Sequence, residues 1–146
     1  MTEYQNTIYH DPQRYDDQYW WKKNDIEFWK KIYNVISGTS VLELGCGTGR
    51  LALPLIREGA DYTGIEISKA FSQEAEKKIQ RKGLKSNIIT TDFRNFTLNK
   101  KYDMIFIGFN TFLHLLHNSD TMSFLSSVKK HMHNNTLFYI DIFVPN

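Results

Sequence analysis

The segment Val41-Leu42-Glu43-Leu44-Gly45-Cys46-Gly47-Thr48-Gly49-Arg50 constrains this chain more than any other. A short apolar run ending near a carboxylate enters a turn with glycine at alternate positions. Such glycines remove the Cβ atoms that keep a ligand off the backbone, and they permit positive φ. The stretch that follows, with Leu51, Ala52, Leu53, Leu55 and Ile56, is amphipathic. The unit therefore predicts strand, glycine loop and helix, with free N–H groups at the loop and helix start facing whatever lies above. This is the arrangement of a nucleotide-type cofactor site.

Spacing narrows the cofactor. A dinucleotide fingerprint needs a third glycine where Arg50 stands, and a phosphate-binding P-loop needs Gly-Lys-Ser/Thr where Thr48-Gly49-Arg50 stands. The pattern Glu43-x-Gly45-x-Gly47-x-Gly49 fits neither. It resembles the first motif of the class I S-adenosylmethionine-dependent methyltransferases.

Strand signals at 40–44, 61–66, 87–91, 102–107 and 136–144 alternate with helical stretches, which predicts an α/β, doubly wound, mostly parallel Rossmann-like sheet of about five strands with helices on both faces. Apolar residues at Phe28, Trp29, Ile32, Val35 and Ile36 mark a helix before the first strand. Ser68 is placed to cap a helix burying Phe71, Ala75 and Ile79, ended by Gly83. Ser119 or Asp120 starts another, with Leu125, Val128 and Met132 inward, and Pro54 is expected to kink the helix after the glycine loop at its second turn. The expected division is an N-terminal helical cap or lid over 1–38 and a cofactor-binding part over 39–146.

Ligands in open parallel sheets bind beyond the carboxyl ends of the strands. Glu43, Glu66 and Asp92 stand at or near three such ends, and Gly108, Phe109 and Asn110 follow the fourth. Glu66 lies about twenty residues beyond the loop, where nucleotide folds place a carboxylate on ribose hydroxyls. Asp92 before Phe93 reads either as a ligand group or as a turn former.

The resemblance extends through Gly64-Ile65-Glu66-Ile67-Ser68, Thr91-Asp92-Phe93 and Tyr102-Asp103-Met104-Ile105-Phe106, in the order and spacing of the same superfamily, over about residues 40 to 144. It implies S-adenosyl-L-methionine as cofactor and transfer of a methyl group to a nucleophilic atom of a small molecule. It implies that Gly45, Gly47 and Gly49 lie under the methionine part and that Glu43 orients its amino group. It further implies that Glu66 holds the ribose and that Asp92 with the Phe93 backbone reads the adenine edge. Cys46, Thr48, Ile67, Phe109 and Tyr15 complete the expected cofactor-binding set. His114 is the candidate catalytic base; the alternative is that it packs or caps under the next helix. The aromatic run Tyr15 to Trp21 is either a lid or a cap packed on the sheet edge.

The absence of an Asn/Asp-Pro-Pro-aromatic signature after the fourth strand, with a net charge of +2, argues against a nucleic-acid acceptor. A polar start (Met1 to Asn6), no long apolar run and a single cysteine predict a cytoplasmic protein without a membrane partner. His114 with His117, and His131 with His133, lack a third ligand at metal spacing, so no metal is expected. The superfamily resembles a seven-stranded sheet, whereas the fifth strand signal here nearly ends the chain. That predicts a fragment, a short form dimerising through its fifth strands, or a chain completed by another polypeptide. The alternative function is a non-catalytic or truncated S-adenosylmethionine-binding module that needs a partner chain.

Overall fold

A computed structural model of the chain describes residues 10–145; the polar start of the chain and the first part of the expected cap lie outside them. Helix α1 (Pro12–Tyr19) begins with proline at its first turn and Asp11 as cap, its side chain accepting the Arg14 N–H at 3.1 Å. Helix α2 (Ile26–Val35) follows, then β1 (Ser40–Leu44), α3 (Ala52–Arg57), β2 (Asp61–Glu66), α4 (Lys69–Arg81), β3 (Asn87–Thr90) and β4 (Tyr102–Ile107). A 3-10 turn (Thr111–His114) leads to α5 (Asn118–Lys130) and β5 (Met132–Ile140).

The five strands form one sheet in the order β3-β2-β1-β4-β5, every pair parallel. The doubly wound architecture is as expected, and the winding reverses at β1, so the cleft between the tips of β1 and β4 is the switch point. Alternate residues of each strand serve opposite faces. Val41, Tyr62, Met104 and Phe106 pack with Trp29 and Tyr33 of α2, Leu55 of α3, and Ala75 and Ile79 of α4. Leu42, Leu44, Ile65, Ile105 and Ile107 pack with Phe124 and Val128 of α5 on the other face. A sheet covered on both sides accounts for strands that read as nearly continuous apolar runs.

Several local expectations change. In α2 the buried residues are Trp29 and Tyr33, while Phe28 and Val35 are exposed. The helix lies on one apolar line against the sheet rather than embedding a wide stripe. Pro54 produces no kink at a second turn, because α3 spans only six residues and Pro54 lies in its first turn, where a missing N–H breaks no ladder. Helix α5 starts at Asn118, turns Phe124, Ser127 and Val128 inward, and leaves Leu125 outside; Met132 already belongs to β5. Strand β5 runs from Met132 to Ile140 rather than over 136–144. Its register shifts between the pairs Tyr102–Met132 and Met104–Leu137, which absorbs the polar His133-Asn134-Asn135 as an irregularity within the strand.

The β3–β4 connection carries no helix. Phe96 fills that layer instead, stacked on the buried His131 ring (centroids 4.7 Å), whose Nε2 accepts the Leu98 N–H at 2.8 Å.

Candidate cofactor site at the switch point

The glycine loop is fastened to the tip of β2: the Gly45 and Cys46 N–H groups both donate to the Ile65 carbonyl, at 2.8 and 2.9 Å. Gly47 has φ 59°, and nothing lies within 4 Å of where its Cβ would be, so the loop leaves open space above it. A side chain there would be strained and would fill that space. Gly64 of β2 matters for a different reason. A Cβ on it would lie 2.8 Å from Cys46 Sγ and 3.0 Å from Tyr62 Oη, so the bare backbone lets the loop fold down onto the sheet. Cys46 is buried, and burial pushes its thiol well above the usual range, which makes it a packing group.

Glu43 is buried below the loop, where its Oε1 accepts the Tyr62 hydroxyl at 2.5 Å. Burial drives its carboxyl up from 4.5 to about 8, opposed by the Tyr62 hydrogen bond and the Arg50 charge. Glu66 stands at the tip of β2, largely buried and also raised by burial. The backbone N–H groups of Ser68, Gly47 and Ile67 work against that rise, so its carboxylate faces the loop. Two carboxyls beside a bed of N–H groups suit a ligand carrying an ammonium group and vicinal hydroxyls.

A cavity of about 40 Å³ opens over this loop, lined by Tyr15, Glu43, Gly45, Cys46, Gly47, Thr48, Arg50, Leu51, Gly108, Phe109 and Thr111. Of the expected residues it gathers Glu43, Gly45, Cys46, Gly47, Thr48, Phe109 and Tyr15. The others take different places. Gly49 (φ 85°) turns toward α4, where a Cβ would meet Ala75 Cβ at 3.3 Å. Ile67 is 61% exposed beside Glu66. The Phe93 ring packs on Phe124 in the core at 5.5 Å, which leaves its backbone as the group available at the β3 tip. Asp92 is forked by the Arg94 guanidinium (Nε to Oδ1 3.1 Å, Nη2 to Oδ2 2.7 Å), and that hydrogen bonding lowers its pKa. His114 is exposed on the 3-10 turn, away from the cavity lining.

The N-terminal segment is tied to the loop by side chains. Thr48 donates its hydroxyl to Asp16 Oδ1 at 2.5 Å, and Asp16 also pairs with Lys78 of α4. Arg50 forks onto Asp25 at 2.6 and 3.0 Å and donates to the Lys22 carbonyl. Tyr15 packs on Phe71 (5.0 Å) and Tyr19 on the edge of Phe109 (5.2 Å). Sequence reasoning found the aromatics here but missed Asp16, Asp25, Arg50 and Tyr62 as site residues. The one available signal was Arg50, a cation where a dinucleotide-binding loop places its third glycine.

Among the described residues no group of three or more His, Cys, Asp or Glu is arranged to hold a metal ion, and no helix is long and apolar enough to cross a membrane. His133 instead hydrogen bonds Asp103 at 2.8 Å.

Residues 41–135 match a family model described as a methyltransferase domain. The chain is similar to the cypemycin N-terminal methyltransferase of a Streptomyces species, 25% identical over 117 residues, covering 80% of this chain and 47% of that protein. It is 31% identical over 102 residues to the ubiquinone biosynthesis O-methyltransferase of Rickettsia prowazekii, covering 59% of this chain and 40% of that protein. Among solved structures, an S-adenosylmethionine-dependent methyltransferase from Clostridium acetobutylicum superposes with a TM-score of 0.74 at 24% identity, over 86% of this chain and 53% of that one. DesVI from Streptomyces venezuelae gives 0.75 at 18% identity, over 96% and 57%. The chain thus spans about half the length of the relatives it matches.

Proposed function

Because the chain belongs to the methyltransferase-domain family, we propose that it binds S-adenosyl-L-methionine over the glycine loop and serves methyl transfer to a small-molecule acceptor. The observation that carries this reading is the open backbone at Gly47 between the buried Glu43 and the Glu66 carboxylate. In this reading the donor's methionine part lies on Gly45 to Gly49 with its ammonium group toward Glu43, its ribose diol on Glu66, and its adenine edge on Asp92 and the Phe93 N–H. Arg94 holds the Asp92 carboxylate in one orientation for that contact. Cys46, Thr48, Ile67, Phe109 and Tyr15 complete the surround.

The cofactor brings an already activated methyl group, so the protein's task is alignment and exclusion of water. Thr48, Asp16 and Tyr15 close one side of the cleft. His114, just after the β4 tip, is the candidate to take a proton from the acceptor. The relatives and neighbours include an O-methyltransferase of ubiquinone biosynthesis and sugar and glycopeptide N-methyltransferases, which supports a small acceptor. The same reading includes a cap over residues 1–38 on a cofactor-binding part over 39–146, a cytoplasmic location, and a homodimer formed through β5.

Titration calorimetry with S-adenosylmethionine tests the assignment. Glu66→Ala should weaken binding by about 1–3 kcal/mol through loss of charge-assisted hydrogen bonds. An unchanged dissociation constant would remove Glu66 from the site. Accumulation of S-adenosylhomocysteine with a panel of small acceptors tests turnover, and its absence with every acceptor would leave cofactor binding as the function of this chain.

A further inference from the structure

We propose that Phe109 reads the positive charge of the methyl donor, so that the cleft prefers a sulfonium over the neutral thioether it becomes after transfer. The inference rests on the cofactor reading above and adds a selectivity to it. Phe109 has φ 51° and the next residue, Asn110, φ 59°, two consecutive left-handed residues that are not glycine. For a bulky side chain this conformation is strained and persists only where surrounding contacts impose it. They do so here from the end of β5. The Phe109 N–H donates to Asp141 Oδ2 at 3.2 Å, the Asn110 N–H to the Asp141 carbonyl at 3.3 Å, and the Phe143 N–H to Asn110 Oδ1 at 2.5 Å. The consequence is a ring set into the wall of the cavity over Gly45 and Gly47.

That ring already attracts cations. Lys22 Nζ and Arg50 Cζ both lie over it, each 5.3 Å from its centroid, within the range of attraction to an aromatic face. Arg50 is locked by its forked pairing with Asp25. Lys22 has no carboxylate partner among the described residues. It can leave the ring without breaking an ion pair, which opens one more approach to the ring for a ligand cation. Tyr19 meets Phe109 edge-on at 85° and limits how far the ring can turn away. The neutral thioether keeps only the weaker sulfur–aromatic contact and loses the attraction of a cation for the ring face, so product is held less tightly than donor.

The test is calorimetric titration of three ligands into the whole chain: S-adenosylmethionine, sinefungin, whose amine supplies a cation near the same position, and neutral S-adenosylhomocysteine. In Phe109→Leu the two cationic ligands should lose about 5- to 30-fold more affinity than the thioether, while Phe109→Trp keeps the wild-type preference. Lys22→Met, which leaves the backbone turn untouched, should raise the preference for S-adenosylmethionine over S-adenosylhomocysteine whether or not the Leu variant folds. Equal losses for all three ligands in Phe109→Leu, or an unchanged preference in Lys22→Met, would overturn the inference alone. Failure of the wild-type chain to bind any of the three would overturn the cofactor reading and this inference with it.

Discussion

Glu43 and Tyr62 show how much of this site depends on a single contact between buried groups. The carboxyl is buried, its hydroxyl partner sits 2.5 Å away, and that partner is buried as well. Tyr62→Phe should cost about 1–3 kcal/mol of folding stability, measured by urea denaturation, since it leaves a buried acceptor unsatisfied. The pH dependence has a definite sign. Glu43 keeps its proton in the folded chain up to about pH 8 but releases it near 4.5 when unfolded. The folded state therefore binds more protons across that window, and stability falls as pH rises through it. Glu66 adds a slope of the same sign. Glu43→Gln should flatten most of the decline in melting temperature between pH 4.5 and about 8; a slope equal to wild type would mean that Glu43 is ionised in the native chain. Gly64→Ala belongs to the same neighbourhood. Its Cβ would press on Cys46 Sγ and Tyr62 Oη, and a loss of about 1–3 kcal/mol is expected from overpacking. The acid at position 43 was legible in the sequence, but its partner was not, because Tyr62 lies on a neighbouring strand 19 residues away.

At the scale of elements, the N-terminal segment is tied to the glycine loop by side chains. The cavity of about 40 Å³ is far below the roughly 300 Å³ at which small-molecule pockets begin. Helix α1 stands against this cavity through Tyr15. The anchors of α1 and the segment after it are side-chain contacts, Asp16 to Thr48 and Lys78, and Asp25 to Arg50, rather than a deep apolar interface, and α1 buries no residue completely. Such a segment opens at lower free energy than the sheet. Asp16→Ala should raise amide exchange across residues 12–19 by about tenfold, the worth of a charged hydrogen bond, with the β1 and β4 amides unchanged. Unchanged exchange in α1 would place the latch elsewhere. The aromatic density before α2 was plain in the sequence, while the Asp16 and Arg50 contacts, which join residues 25 or more positions apart, were not. Similarly, the apolar run at 136–144 located β5, but its span depended on pairing with β4 and on Asp141, whose N–H closes on the Ile107 carbonyl and turns the chain back toward the site.

For the whole molecule, the unbalanced feature is the outer edge of β5, which pairs only with β4 among the described residues. Leu137 is 43% exposed on it, and Ile142, Phe143 and Val144 follow in the open. Unpaired N–H and C=O groups beside apolar side chains make a template for another strand. If two copies meet there, Leu137→Lys should abolish concentration-dependent association in light scattering while leaving S-adenosylmethionine affinity as it was. Association unaffected by that charge would assign the contact to another surface.

By itself the sequence determined which segments become strands and helices, that the strands run parallel, and that glycines and acids collect at one end of the sheet. These follow from hydrophobic periodicity and backbone sterics, which act between residues close along the chain. Only the tertiary structure decided which groups touch across the cleft: Tyr62 on Glu43, Arg94 on Asp92, Asp25 on Arg50, and two cations over the Phe109 ring. A hydrogen bond or an ion pair is set by proximity in space, and distant segments come together only when two faces of one sheet are buried at once.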